Sequence, residues 1–515
     1  MLAATTGLLL ALSFPPVPLS FLAWIALAPL GVALEARAQG VRPGRAGFGT
    51  GYVAGFVFFL GGLHWIAFLK PVAVTISWIM YPAWAAGAAY LALFPALAGS
   101  AATLLRARLG VPMAVALPVS WLAAEKLRSL GEMGFPWLSI GYTPWRSLAL
   151  IQWASVGGVA LVGAWIVAVN GCLIAAWLAH AKGDRRRTLT AVGAAVMVAL
   201  VAYAGGRALL PAASPGGYTG PKVALVQGNV PGEIKWSGTH QKEVMTKFLA
   251  LSRQALAEHP DLLIWPETAT GSYIRRDLPS LIAVQGLVDS SGVPLLAGYP
   301  DYQLRPDGTY RLANAAGVFV PRIGFVAQYE KMHLVPFGER LPFEWLIPAL
   351  AKIDFGQAEF APGDSLVLLP AAGQKACVLV CFESIFEDAP RQAREQGATV
   401  LVNITNDEWF GRTGALYQHA AMAVFRAVET RLPLARCANT GLTFFVSARG
   451  EPYGMGGVFE DLVRVERLDA PRAAPLFVRS GDVLGAVVLA LALAGVLACA
   501  LRPRRRGAPL TPRSG

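Results

Sequence analysis

The chain has 515 residues, 55% of them hydrophobic and only 15% charged, with a formal net charge of +12. A soluble globular protein carries about 25% charged residues, so this composition excludes a wholly soluble chain. The positive charge does not indicate nucleic acid: no basic face with interleaved aromatics occurs. Fourteen Lys/Arg and two acidic residues, together equal to the whole excess, fall in short breaks between apolar runs and in the tail.

Apolar runs of membrane length are predicted at 2–14, 17–34, 47–69, 83–105, 111–124, 156–179, 189–210 and 483–501. The first and fifth are short for a span. Pro15-Pro16, followed by more apolar sequence, predicts a helical hairpin rather than a cleaved leader. Pro82 separates the fourth run from an apolar stretch at 72–80 expected at the interface. With the N-terminus inside, the basic breaks at 35–45, 106–108 and 182–187 and the tail from 502 all face the cytoplasm. The stretch 125–146 then falls outside. Seven spans place the globular region outside, and the eighth returns the tail. The expected division is a membrane domain at 1–213, a globular domain at 220–475, a final span at 483–501 and a basic cytoplasmic tail at 502–515. A Pro/Gly-rich linker covers 214–220.

Within the globular region, strands are predicted at 222–227, 262–265, 293–297, 315–319, 377–380 and 399–403, with helices at 241–258, 279–290 and 417–430. This alternation implies a layered α/β domain. Three apolar segments end in reactive groups. Leu262-Leu263-Ile264-Trp265-Pro266 delivers Glu267, Val326-Ala327-Gln328-Tyr329-Glu330 delivers Lys331, and Ala376-Cys377-Val378-Leu379-Val380 delivers Cys381. Taken singly, each has an ordinary reading: a solvated carboxylate, a surface ammonium, a packed thiol. Together they suit covalent acyl transfer, as proton acceptor, cationic stabiliser and nucleophile. His333 suggests a Cys-His pair, but its surroundings favour a structural role. The five cysteines form no CxxC pair and no Cys/His cluster, so no metal is expected, and no GxxxxGK loop indicates a nucleotide.

Those three residues, with Asn403-Ile404-Thr405-Asn406-Asp407 and Phe425-Arg426-Ala427-Val428-Glu429, resemble the nitrilase superfamily and its Glu-Lys-Cys triad. Gly134-Phe135-Pro136-Trp137-Leu138, Val226-Gln227-Gly228-Asn229-Val230-Pro231 through Lys235-Trp236, and His333-Leu334-Val335-Pro336-Phe337-Gly338-Glu339 narrow the resemblance to its membrane branch, the apolipoprotein N-acyltransferases. The resemblance implies an α-helical membrane domain joined to an extracytoplasmic α-β-β-α sandwich. It implies a phospholipid acyl donor, a diacylglyceryl-modified apolipoprotein as acceptor, the bacterial inner membrane as location, and no cofactor. Glu339 and Glu383 are expected to orient Lys331 and the amine. Trp236, Phe382, Phe343 and Trp345 are expected to contact substrate, the last two on an apolar arm at 339–350. Phe382 departs from the family's frequent tyrosine, so no hydroxyl acts there. Two other readings stand beside this one: a membrane-anchored amidase, in which water replaces the amine, and a catalytically idle binding module.

Overall fold

The computed structural model describes residues 1–69, 77–214, 217–343, 346 and 360–502. The N-terminal half is helical: α1 (Leu2–Leu12), α2 (Ala28–Ala38), α3 (Pro43–Gly62), α4 (Met80–Leu91), α5 (Leu93–Leu104), α6 (Met113–Arg128), α7 (Ala154–His180) and α8 (Arg185–Leu209). Among the described residues, five helical stretches are long and apolar enough to cross a membrane: Ser20–Ala38, Met80–Leu109, Leu150–His180, Arg185–Leu209 and Val483–Leu501. This is a membrane protein.

Each predicted span overlaps a helix, but several bounds differ. The run at 17–34 opens as a short turn, Ser20–Trp24, before α2 begins. Pro29 sits in the first turn of α2, where a missing N–H costs nothing. The run at 189–210 starts four residues early, because the Asp184 carboxylate accepts the Arg187 N–H at 2.9 Å and caps α8. The predicted 83–105 helix is α4 followed by α5, which runs on through Leu105–Leu109. Helices α3 and α5 pack backbone to backbone, since a Cβ at Gly51 would overlap the Pro95 carbonyl. Most of the stretch at 72–80 and the tail from 503 lie outside the described residues.

Among the described residues, the second half contains two six-stranded sheets. One runs β12 (Leu462–Arg467), β1 (Lys222–Gln227), β2 (Leu262–Ile264), β3 (Leu295–Leu304), β4 (Tyr310–Val320), β5 (Gly324–Glu330). The other runs β11 (Pro452–Tyr453), β10 (Phe444–Val446), β9 (Leu434–Ala438), β8 (Val400–Thr405), β7 (Gln374–Val380), β6 (Leu368–Ala371). The strands with period-two burial build both faces. Val223, Leu225, Val378 and Val380 meet between the sheets. Ala224 and Val226 point the other way, against α10 (Gln241–Leu256) and α11 (Leu278–Ser291). Cys377 and Leu379 face α12 (Asp388–Glu395) and α13 (Ala415–Thr430). The result is an α-β-β-α sandwich, as expected. A one-turn helix, α9 (Gly232–Lys235), follows β1; α14 (Leu476–Ser480) and α15 (Val483–Leu501) close the chain.

Helix α13 positions the site. Every one of its residues except Tyr417 is buried, because the sheet covers one side and the membrane helices cover the other. Leu416, Met422, Val424, Phe425 and Val428 each contribute roughly 1.5–3 kcal/mol on full burial. Gln418 locks this seam: its Oε1 accepts from the indoles of Trp65 (3.2 Å) and Trp137 (2.8 Å), and its Nε2 donates to the Pro15 carbonyl at 3.1 Å.

Candidate active site

The ends of β2, β5 and β7 bring Glu267, Lys331 and Cys381 together. Lys331 is buried, 1% exposed, and its Nζ lies 3.4 Å from Glu267 Oε1 and 2.8 Å from Glu339 Oε2. Asn314, on β4, donates to both carboxylates through Nδ2, at 2.7 Å to Glu267 Oε1 and 3.0 Å to Glu339 Oε1. The other Glu267 oxygen accepts the Asn406 N–H at 2.8 Å. Glu267 is thereby fixed on both oxygens. Burial pulls the Lys331 ammonium down, but Glu339 and Glu267 outweigh it and hold it well above the usual lysine range. Lys331 is therefore a permanent cation and no proton acceptor.

Cys381 stands at φ 51°, in the left-handed region that residues with a Cβ rarely enter. The strand turns there into a 3-10 segment, Cys381–Ile385. Glu383 ties the turn down. Its Oε2 accepts the Val380 N–H at 2.8 Å; its Oε1 accepts the Tyr329 hydroxyl at 2.7 Å and the N–H groups of Met332 (2.8 Å) and His333 (3.1 Å). Glu383 thus joins the backbone carrying the thiol to the backbone carrying Lys331. These contacts fix the backbone beside Lys331, in keeping with a role in orienting it. Glu339 does contact Lys331 directly.

Desolvation pushes the Cys381 thiol well up, and the Glu267 charge pushes it further; Lys331 opposes both and loses. The Lys331 ammonium does pull the thiol down, but by less than burial and Glu267 push it up. At rest the nucleophile is a thiol that must give up its proton during attack. Thr405 hydrogen-bonds the sulfur and favours its thiolate form, and its hydroxyl lies 2.8 Å from Asp407 Oδ1.

Behind the nucleophile lies a fully buried polar network. His419 Nδ1 is 3.0 Å from Asp407 Oδ1, and its Nε2 is 2.9 Å from Ser384 Oγ and 3.1 Å from the Cys381 carbonyl. Arg436 donates to Asp407 Oδ2 at 2.7 Å and to the Asn403 amide oxygen. Burial would raise Asp407, but Arg436 and His419 hold it well below the usual carboxylate range. Burial and Arg436 together keep His419 below its usual value. Through His419 the network grips the carbonyl of Cys381, and through Asp407 and Thr405 it reaches the sulfur. His333, the sequence candidate for a Cys-His pair, stacks on Phe386 at 4.8 Å between ring centroids.

An aromatic wall runs from the thiol to the membrane helices. Phe382, 8% exposed, stacks with Phe135 at 6.3 Å; Phe135 stacks on Trp137 at 5.8 Å, and Trp137 on His419 at 5.5 Å. Trp236 is 42% exposed beside α9. Phe343 is exposed on the arm, and its N–H donates to Glu132 Oε2 at 2.7 Å. Trp345 lies outside the described residues.

The sequence has relatives. The chain is 35% identical over 505 residues to an apolipoprotein N-acyltransferase of Geobacter metallireducens, covering 96% of this chain and 95% of that one. It is 34% identical over 529 residues to the enzyme so named from Methylococcus capsulatus, covering 98% and 96%. This chain belongs to the apolipoprotein N-acyltransferase family. Residues 6–172 match the family described as the apolipoprotein N-acyltransferase N-terminal domain, and residues 222–475 the carbon-nitrogen hydrolase family. The solved carbon-nitrogen hydrolase of Helicobacter pylori is also similar, at 20% identity over 48% of this chain and 89% of that one, with a TM-score of 0.36.

In this family member several site residues escape a reading of the sequence. Asn314 leaves one signal, a lone amide within the apolar run Ala313-Asn314-Ala315-Ala316. Asn406 and Asp407 fall inside a family-like segment that assigns them no role. His419 and Arg436 give none: most of their partners lie 12 to 38 residues away and meet only in the folded site.

Proposed function

We propose that the protein transfers a fatty acyl group from a phospholipid to the N-terminal amine of a diacylglyceryl-cysteine on apolipoproteins, through a thioester on Cys381. One observation carries this reading. A Glu267–Lys331 pair stands beside a thiol at the seam between an α/β sandwich and apolar membrane helices. A soluble amide substrate would not need that seam.

The chemistry takes two steps. Glu267 accepts the Cys381 proton as the sulfur attacks the ester carbonyl, and the Lys331 ammonium stabilises the oxyanion. Collapse breaks the ester C–O bond. Glu267 returns the proton to the departing glycerol oxygen, and a lysophospholipid leaves. The acceptor amine then attacks the thioester, gives its proton to Glu267, and expels the sulfur, which recovers that proton as the amide forms. The aromatic wall of Phe382 and Phe135 and the arm with Phe343 and Trp345 receive the acyl chains, and Trp236 borders the entrance.

The test uses detergent-solubilised protein and a phospholipid with a fluorescent headgroup. Without an amine acceptor, one lysophospholipid per enzyme is expected, then a stall. Adding a diacylglyceryl-cysteine peptide should restore turnover. Continuous release with water alone would make the protein a hydrolase, and no release under either condition would favour the idle binding module.

The same reading places the catalytic domain, 220–475, on the periplasmic side of the inner membrane. The membrane domain, 1–213, and the span at 483–501 anchor it, and the tail at 502–515 lies inside. The basic breaks between apolar runs support this orientation. An impermeant amine reagent added to intact spheroplasts should label Lys242 or Lys247 in the α/β domain but spare Lys182. Labelling of Lys182 with protection of the domain would invert the topology.

A further inference from the structure

Lys235, the last residue of α9, is buried to 0% exposure, and its Nζ has no hydrogen-bond partner among the described residues. An ammonium in that position is strongly disfavoured unless charge nearby compensates. The backbone around it is built to hold it there. Gly232 N–H donates to Glu408 Oε1 at 2.7 Å at the start of α9. Asn439 brackets Val230, accepting its N–H at 3.1 Å and donating to its carbonyl at 2.8 Å, and it also donates to Asn406 Oδ1 at 3.0 Å. The turn after Glu267 closes directly on Lys235. Gly271 stands there at φ 67°, and a Cβ on it would strike the Lys235 carbonyl. The charged groups facing the ammonium are Glu408, from the segment after β8, and Glu267, from the turn after β2.

The formal charges explain why it is needed. Lys331 alone faces two carboxylates, Glu267 and Glu339. With Glu408, which also faces Lys235, three carboxylates would stand against Lys331 alone if Lys235 were absent, a surplus of two negative charges that works against an ionised Glu267; Lys235 reduces the surplus to one. We propose that Lys235 is a positioning residue of the acyl-transfer site, an ammonium whose charge, shared between Glu267 and Glu408, keeps Glu267 ionised. Burial lowers its pKa to about 8 against the pull of Glu408 and Glu267. It is therefore charged throughout the pH range in which a carboxylate base switches on.

The inference rests on the acyl-transfer reading, and one experiment separates the two. The rate of the first lysophospholipid release is followed from pH 4 to pH 9 in the full-length protein, with the same fluorescent phospholipid. Lys235→Met should move the acid limb to higher pH by about one unit, so that the rate well below the limb falls about tenfold. Lys235→Arg should leave the limb near its wild-type position. Glu408→Gln keeps the acceptor for Gly232 N–H but removes the charge, so the Lys235 charge falls wholly on Glu267 and the limb should move to lower pH. This variant carries the test if Lys235→Met does not fold. An unmoved limb in either variant, or an equal loss at every pH, would overturn the proposal. A wild type that never releases lysophospholipid would instead remove the acyl-transfer reading itself.

Discussion

Cys381→Ala is expected to abolish acyl transfer, by at least about a thousandfold, with the protein still folded and membrane-inserted. Among the described groups at the site, the thiol is the strongest nucleophile for a covalent acyl intermediate. Glu267, Lys331 and the network beneath hold their places mainly through contacts with each other rather than with the sulfur. Alanine there also keeps the turn, since Glu383, Ser384 and His419 all bind backbone atoms around it. Cys377→Ala is the control. Cys377 is wholly buried in β7, four residues earlier, and faces the helical layer. Its loss should cost about 1 kcal/mol of stability and leave transfer within a few-fold. Transfer rates with thermal unfolding of both variants check this; equal inactivation of the two would mean that the wrong thiol carries the chemistry.

Lys331→Arg, although it keeps the charge, is expected to lose at least about a hundredfold in transfer. The ammonium is 1% exposed between Glu339 at 2.8 Å and Glu267 at 3.4 Å, with Asn314 bridging the carboxylates. That space fits a compact tetrahedral donor. A planar guanidinium would pair with Glu339 and push Glu267 out of line with the sulfur. The first lysophospholipid release, measured in a single turnover, isolates the step concerned. A variant within a few-fold of wild type would show that only long-range charge matters at this position.

The parts of the fold set by local pattern are legible in the sequence, and those set by tertiary compensation are not. The strand predicted at 222–227 is β1 to the residue, and the helix predicted at 241–258 is α10 less two residues. In both, apolar periodicity and burial agree. Strand β9 has no such mark, because Arg436 interrupts its apolar run. The guanidinium is tolerated in a fully buried strand only through Asp407, Asn403 and the Leu442 carbonyl. Strand β12 is hidden for a different reason. It is a half-buried edge strand in which Arg464 and Glu466 alternate with valines, so no continuous apolar run marks it. At the site, the three strand-end residues are legible because a reactive group directly after an apolar run is a local feature. The roles of Glu383 and Lys235 are not, since one links two distant backbones and the other is defined by a missing partner.

The central claim is a covalent acyl group on Cys381, and the mass of the protein after exposure to phospholipid tests it most directly. Incubation with a phospholipid of one defined acyl length should add the mass of that acyl group less water. Peptide mapping should place it on Cys381, and a diacylglyceryl-cysteine peptide should discharge it to the amine. An unmodified Cys381 in protein that is turning over, or an adduct on any other residue that the acceptor discharges, would contradict the account.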